Sequence, residues 1–392
     1  MESHNELKGK AFLFLLFLWC LWFTHFTLRT IFGPILPLIE DEFVISHAKA
    51  SSIFMFQSVG FGISVLLSGF YSGKFGYKKT ILGSLLIASS ALFLIQFVKI
   101  FLLFYIFAFV SGFAMGLYLP SAISLITEHF VERDWGKSIS IHDSAASIAI
   151  FSTPFVTLFL LHFLKWRGIL GVFAVLSLIG AVIFYFISDE VKIVHAKGKT
   201  LYGDLIKNKA LWTIGIITIL SAGANMGIYL ITPLYLTKEL LLSIDYANTI
   251  LGISRFGGIG VAILCGFLAD RINLKKIMFI MVLGSGILTI LIGIAPVRFT
   301  GIVFFLQALF VTGLFPLIFV LIARIFSRER RSMATSIILT IGSGLGNGII
   351  PYLLGLSGDL LSFRVGISIL GILVTMASWL ILSLRNLGSG HS

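Results

Sequence analysis

The sequence predicts an all-α polytopic membrane protein of twelve transmembrane helices, built as two six-helix bundles with both termini in the cytoplasm. Three observations predict it. Hydrophobic residues make up 58% of the 392 and charged residues only 12%, about half the charge of a soluble domain. Apolar runs of about 20 residues, the length that crosses a bilayer as a helix, recur along the whole chain. The chain also aligns with itself at an offset of 197 residues, about half its length.

The apolar runs begin near residues 11, 49, 80, 100, 138, 168, 210, 245, 276, 299, 332 and 364. The first is too long for a signal peptide and lacks a small-residue cleavage site, so it is expected to stay as a helix. It holds His25 and Arg29 and reaches a proline break at Pro34 and Pro37. The second carries Gln57 and ends in the basic stretch GFYSGKFGYKK, residues 69–79. Spans three and four are almost purely apolar. The fifth contains His142, Asp143 and Thr153-Pro154, and the sixth opens on Trp166-Arg167. Past the polar segment 188–209, the seventh holds Asn225 and Tyr229 and the eighth Arg255. A second basic stretch, GFLADRINLKK, covers residues 266–276. Gln307 lies in the tenth span and Asn347 in the eleventh.

The net charge of +12 is a topology signal. With the N-terminus inside, 19 Lys and Arg fall on the cytoplasmic side, seven outside and three (Arg29, Arg255 and Arg324) within spans. That bias fixes the orientation by the positive-inside rule and argues against nucleic-acid binding. The expected location is the plasma (cell inner) membrane, as a multi-pass protein. The 38 Phe residues suit a lipid-facing surface. Cys20 and Cys265 both sit inside apolar runs, so no structural disulfide is expected.

At the 197-residue offset, Gly60 falls on Gly257, Gly69 on Gly266, Lys78-Lys79 on Lys275-Lys276 and Gly116 on Gly313. Glu132-Arg133 falls on Glu329-Arg330, Pro154 on Pro351 and Arg167 on Arg364. Matches of Leu or Ile would be cheap in this composition, whereas Pro, Glu, Arg and Lys are scarce. The predicted units are therefore an N-terminal bundle at 1–187, a cytoplasmic linker at 188–209 and a C-terminal bundle at 210–392. Six spans per half give both halves the same orientation, a parallel repeat.

Twelve spans as six plus six, with a basic loop after the second span of each half, resemble the major facilitator superfamily. The second loop carries the fuller motif: Gly266, Asp270, Arg271, Lys275 and Lys276. The first keeps Gly69, Lys74, Gly76, Lys78 and Lys79 but has Gly73 where the family usually has Asp. Glycine suits a tight connection there, and Asp270 can face the positive end of a neighbouring helix. The resemblance suggests the fifth helix as that neighbour and a cytoplasmic latch as the role. The plainer account is that the loop charges only anchor it in the cytoplasm. In the first copy, which lacks the acid, the plainer account is preferred.

Substrate chemistry is expected where the two halves differ. Arg29 aligns with Met226, Arg255 with Ser58, His25 with Ala222, and His142-Asp143 with Leu339-Thr340. Arg29 precedes Glu40 by 11 residues and Arg255 follows Asp245 by ten. At 1.5 Å per residue, each lies roughly 15 Å below the outer surface. A charge at that depth is costly. The resemblance implies that helices 1 and 8 line a central cavity. Two guanidinium groups there, with no carboxylate at their depth, form an anion site, because the planar fork grips carboxylate or phosphate in a bidentate way. The alternative is that they snorkel or bond backbone carbonyls. His25, four residues before Arg29, either joins the site or simply hydrogen-bonds.

Asp143 is the one acid well inside a span, with His142 beside it. An intramembrane carboxylate is a candidate proton carrier, and a contact to Arg324 or Lys137 is the alternative. Gln57, Asn225, Tyr229, Gln307 and Asn347 either line the site or bond between helices, the commoner fate of polar groups in bundles.

No phosphate-cradling loop, metal-ligand cluster or enzyme constellation appears, so no cofactor is expected. The expected function is secondary active transport by alternating access: proton-coupled uptake of a small, carboxylate-like organic anion by a monomer bathed in membrane lipid. The alternative is a drug/proton antiporter working in efflux.

Overall fold

A computed structural model describes residues 5–189 and 205–384, apart from the side chains of Ile259, Asp270, Arg328, Glu329 and Ser332. Among the described residues the fold is helical, with no strand beyond one isolated bridge between Asn5 and Phe130. Twelve helices are long and apolar enough to cross a membrane. They are α1 Gly9–Phe43, α2 His47–Phe75, α3 Tyr77–Ile95, α4 Phe101–His129, α5 Glu132–Leu161 and α6 Trp166–Ile187. In the second half they are α7 Lys209–Lys238, α8 Ile244–Ala269, α9 Leu274–Ile294, α10 Val297–Ile325, α11 Met333–Leu360 and α12 Phe363–Ser383.

Several of these helices are interrupted where the sequence demands it. In α1, α-helical stretches Gly9–Thr30 and Phe32–Phe43 meet at Ile31. Pro34 has no N–H to offer the turn before it, which makes that turn the weak point. Helix α7 widens to a π-helix at Gly223–Gly227, and α11 does so at Gly342–Ile349. Both segments are glycine-rich, so the backbones approach closely. A Cβ on Gly346 would lie 2.7 Å from the Ile219 carbonyl oxygen of α7, and one on Gly227 would lie 3.2 Å from the Gly346 carbonyl oxygen.

The contacts group the chain into two compact units, Met1–Phe43 with Phe56–Lys197, and Val44–Met55 with Gly198–Ser392. The first unit's core joins α1 (Leu15, Leu18, Trp22), α3 (Ile81, Leu85), α4 (Tyr118, Leu125), Phe130, α5 (Ala145) and α6 (Ala181, Phe184), all buried. Phe70, Phe93, Phe97, Phe159 and Phe186 are exposed instead, as expected of side chains that meet lipid.

Each unit ties its first and last helix at a repeat-equivalent carboxylate. Glu42 accepts from Trp166 Nε1 at 2.6 Å and from Arg167 Nε and Nη2 at 2.9 and 2.7 Å. Arg167 also donates through Nη1 to the carbonyls of Ile95 and Gln96 at the end of α3, both at 3.0 Å. Glu239, 197 residues after Glu42, accepts from the backbone N–H of Phe363 and, at 3.3 Å, of Arg364. The repeat extends to the turns that follow. Val44 and Leu241 are the two non-glycine residues with positive φ among the described residues, at 50° and 55°.

In the second unit, the segment around His47 packs against α11. The Asp359 carboxylate accepts from His47 N–H at 2.9 Å and Ala48 N–H at 2.8 Å. These donors have no intrahelical partner at a helix start. Cys20 and Cys265 are free thiols.

Candidate functional site

The polar residues expected to line a site fall into one cluster in the second unit and two groups in the first. In the second unit, Arg255 is only 5% exposed. Its Nη1 donates to Asn225 Oδ1 at 2.6 Å and its Nη2 to the Asn225 carbonyl at 3.1 Å. The guanidinium carbon stands 5.1 Å from the Tyr229 ring centroid. A π-turn shifts the hydrogen-bond ladder and exposes carbonyls to outside donors, which is why a side chain from α8 can hold the backbone of α7. Gln307 of α10 grips the adjacent peptide: its Nε2 donates to the Ala224 carbonyl at 2.8 Å and to Thr289 Oγ1 at 3.2 Å. Asn225, Tyr229, Arg255 and Gln307 therefore form one buried cluster around the α7 π-turn. Asn347 is buried in the α11 π-segment.

In the first unit, Arg29 is 7% exposed, with its guanidinium 4.9 Å from the centroid of the Phe61 ring on α2. Gln57, one turn before Phe61, donates to the Leu28 carbonyl at 3.3 Å, so α2 presses its polar and aromatic groups on the Arg29 turn. Helix α4 brings α2 there by close approach: a Cβ on Gly112 would sit 1.9 Å from the Gln57 carbonyl oxygen.

His25 goes elsewhere. It is fully buried, its Nε2 lies 3.4 Å from Ser84 Oγ, and its ring stacks on Tyr118 with centroids 4.9 Å apart. His142 meets the same tyrosine: its Nε2 is 3.4 Å from Tyr118 Oη, and its ring stacks 6.0 Å away. The structure thus groups His142 with His25 through Tyr118. Asp143, the next residue, is exposed on α5, because consecutive residues on a helix point about 100° apart. Lys137 pairs with Asp134 at 3.8 Å, and Arg324 Nη2 donates to the Ala269 carbonyl at 3.1 Å.

The basic loops differ in how they are built. In the first, Gly76 has φ +85° and makes the turn, while Lys78 donates to the Ser188 carbonyl at the end of α6. Lys74 lies over the rings of Phe70 and Phe75. In the second, Asn273 Oδ1 caps α9 by accepting from the N–H groups of Lys275 and Lys276 at 3.0 and 3.4 Å. Gly69 and Gly266 make no tight turn. Both lie in helices with nothing within 4 Å of an added Cβ, so of the motif glycines Gly76 alone serves the connection. Arg271 ends its helix and is exposed. The Asp270 side chain lies outside the described residues.

The residues missed in the sequence are Phe61, Thr289 and Tyr118, which complete the three groups, and the Glu42 and Glu239 ties. The carboxylates had a signal, since they coincide at the repeat offset.

Twelve helices able to span a membrane, with a buried arginine in each unit, describe a polytopic membrane protein. The chain belongs to the Major Facilitator Superfamily, whose profile matches residues 18–300 and 214–389. It is 25% identical over 274 residues to the chloramphenicol resistance protein CraA of Acinetobacter baumannii, a match covering 68% of this chain and 63% of that one. It is 22% identical over 301 residues to the 4-hydroxybenzoate transporter PcaK of Acinetobacter baylyi, covering 67% and 66%. Among solved structures, the fold matches a bacterial homologue of the human lysosomal transporter Spinster, in its inward-facing and unoccupied conformation. The TM-score is 0.81 at 13% identity, over 96% of this chain and 97% of that one.

Proposed function

We propose that the chain is a secondary active transporter that takes up a small organic anion, carboxylate-like, together with protons, by alternating access. The observation that carries the anion reading is Arg255: a buried guanidinium whose neighbours are an amide, a backbone carbonyl and an aromatic face. No carboxylate neutralises it among these partners, so an anionic group can bind it without competing against a resident acid. Arg29, the buried guanidinium of the first unit, is proposed as a further substrate-binding residue. Asp143 is the proposed proton carrier, and Asp270 with Arg271 the cytoplasmic latch. On this reading both termini lie in the cytoplasm and the protein works as a monomer in the plasma membrane. PcaK, named for a hydroxylated aromatic acid, supports the anion class.

The second reading, efflux of lipophilic drugs in exchange for protons, is favoured by the likeness to CraA. Thermal stability of the purified protein against small carboxylates, phosphates and cationic drugs separates the two, run beside Arg255→Gln and Arg29→Gln. A ligand that binds the folded state raises the midpoint by mass action. A rise with one anion class, lost in both variants, is expected. Rises only with cationic or neutral drugs, unchanged in the variants, would overturn the anion reading in favour of efflux.

A further inference from the structure

The hydrogen bonds around the α7 π-turn can be counted group by group. Gln307 has two amide hydrogens and one carbonyl oxygen. The Ala224 carbonyl can only accept, so the amide nitrogen must face it, and the orientation of the side chain follows. Its second hydrogen goes to Thr289 Oγ1, whose own proton is committed to the Ser285 carbonyl at 2.7 Å. Both donors of Gln307 are spent. Its Oε1 is buried and accepts from nothing among the described residues. Arg255 shows the opposite remainder: both Nη groups donate to Asn225, and its buried Nε–H meets no acceptor there.

The two remainders belong to side chains that reach neighbouring peptide units. Arg255 holds the carbonyl of Asn225 and Gln307 that of Ala224, so the two side chains grip consecutive peptide units, about 3.8 Å apart along the chain. One unused donor on a cation and one unused neutral acceptor thus belong to side chains from α8 and α10 that hold the same turn of α7. A buried polar atom without a partner is costly. A plain carboxylate would satisfy the arginine and leave the amide oxygen bare. A ligand with a cationic ammonium would find only a neutral amide, with the guanidinium close by to repel it.

We infer that the transported anion carries a neutral hydrogen-bond donor, a hydroxyl, accepted by Gln307 Oε1 while its carboxylate binds Arg255; the substrate class is a hydroxylated organic acid. This rests on the anion reading above. Gln307 is on this account the residue that tells a hydroxy acid from its deoxy counterpart.

The test is binding to the full chain in detergent, measured by thermal shift and by calorimetry, with three probes that share one skeleton: benzoate, 4-hydroxybenzoate and 4-methoxybenzoate. An aliphatic pair, butyrate and 3-hydroxybutyrate, covers a shorter span. A hydroxy member is expected to bind at least about tenfold tighter than its deoxy partner, since a site built around a hydroxyl penalises its loss. The methoxy probe keeps the oxygen but cannot donate, and it should bind no better than benzoate. That comparison needs no variant, so it survives if a substitution at position 307 misfolds. In Gln307→Leu the hydroxyl preference should fall to about one, with the deoxy acid still bound; Arg255→Gln should lose both. Carboxylate binding that depends on Arg255 but shows no hydroxyl preference, equal binding of hydroxy and methoxy probes, or a preference that persists in Gln307→Leu would each overturn the inference and leave the anion site standing. Binding of no carboxylate at all would overturn both.

Discussion

Substituting Gly112 by alanine should separate two helices that now touch through their backbones. The added Cβ would stand 1.9 Å from the carbonyl oxygen of Gln57, 2.7 Å from its carbonyl carbon and 3.0 Å from its Cα. Ordinary contact between such atoms is about 3.5 Å, so α2 and α4 must part by about 1.5 Å. No side chain can rotate away, because the obstructing atoms are backbone. Overpacking of a filled core costs about 1–3 kcal/mol, and a backbone obstacle puts this case near the top. The expected loss is ~3 kcal/mol, or about 6–12 °C in midpoint for a unit of this size. Gly83 is the control: it lies within α3, and nothing stands within 4 Å of its added Cβ. Gly83→Ala should therefore gain about 0.5–1 kcal/mol from helix propensity. Thermal unfolding of the detergent-solubilised protein, followed by tryptophan fluorescence, reads both. Shifts of the same sign in the two variants, or an unchanged midpoint for Gly112→Ala, would refute the backbone-contact argument.

Three further outcomes are expected. A double-mutant cycle on Glu42 and Arg167 should give a coupling of about 1 kcal/mol, discounted because the pair is partly exposed. The cycle on Glu239 and Arg364 should give less than half of that, since its charged atoms stand 4.0 Å apart. Val44→Gly and Leu241→Gly should each raise the thermal midpoint by relieving a left-handed backbone, by about 1 kcal/mol. The gain should be greater for the β-branched valine, and a fall in either would show that the side chain matters more than φ. Asp359→Ala should cost about 1 kcal/mol, like loss of a helix cap, and speed hydrogen exchange at the amides of His47 and Ala48, while those of α9 stay unchanged.

The spans were legible because each is about as long as a bilayer needs, or longer, and loop charges punctuate them. The repeat was legible through its rare residues. Arg255, Asn225, Tyr229 and Gln307 could each be picked out as a polar group in an apolar run, but not as one cluster. What joins them is the π-turn at Gly223–Gly227, and a shift in hydrogen-bond ladder leaves no periodic mark in a short stretch. Its only trace is the pair Gly223 and Gly227, easily taken for packing glycines. His142 and Asp143 point apart, which the sequence hid for a different reason. Adjacency along the chain says nothing of direction around a helix, and Tyr118, the partner of His142, lies 24 residues away. Glu42 and Glu239 look like ordinary helix-end charges until Arg167 and Arg364 are placed beside them.

Those two carboxylates bear on how the protein is made. Glu42 leaves the ribosome about 125 residues before Arg167, and Glu239 precedes Arg364 by the same interval. During synthesis each acid waits, without its partners, through the insertion of four more helices. The tie closes only when the sixth helix of that half arrives. Each half therefore carries its own marker of completion, and the first can be fastened before the sixth helix of the second half has emerged.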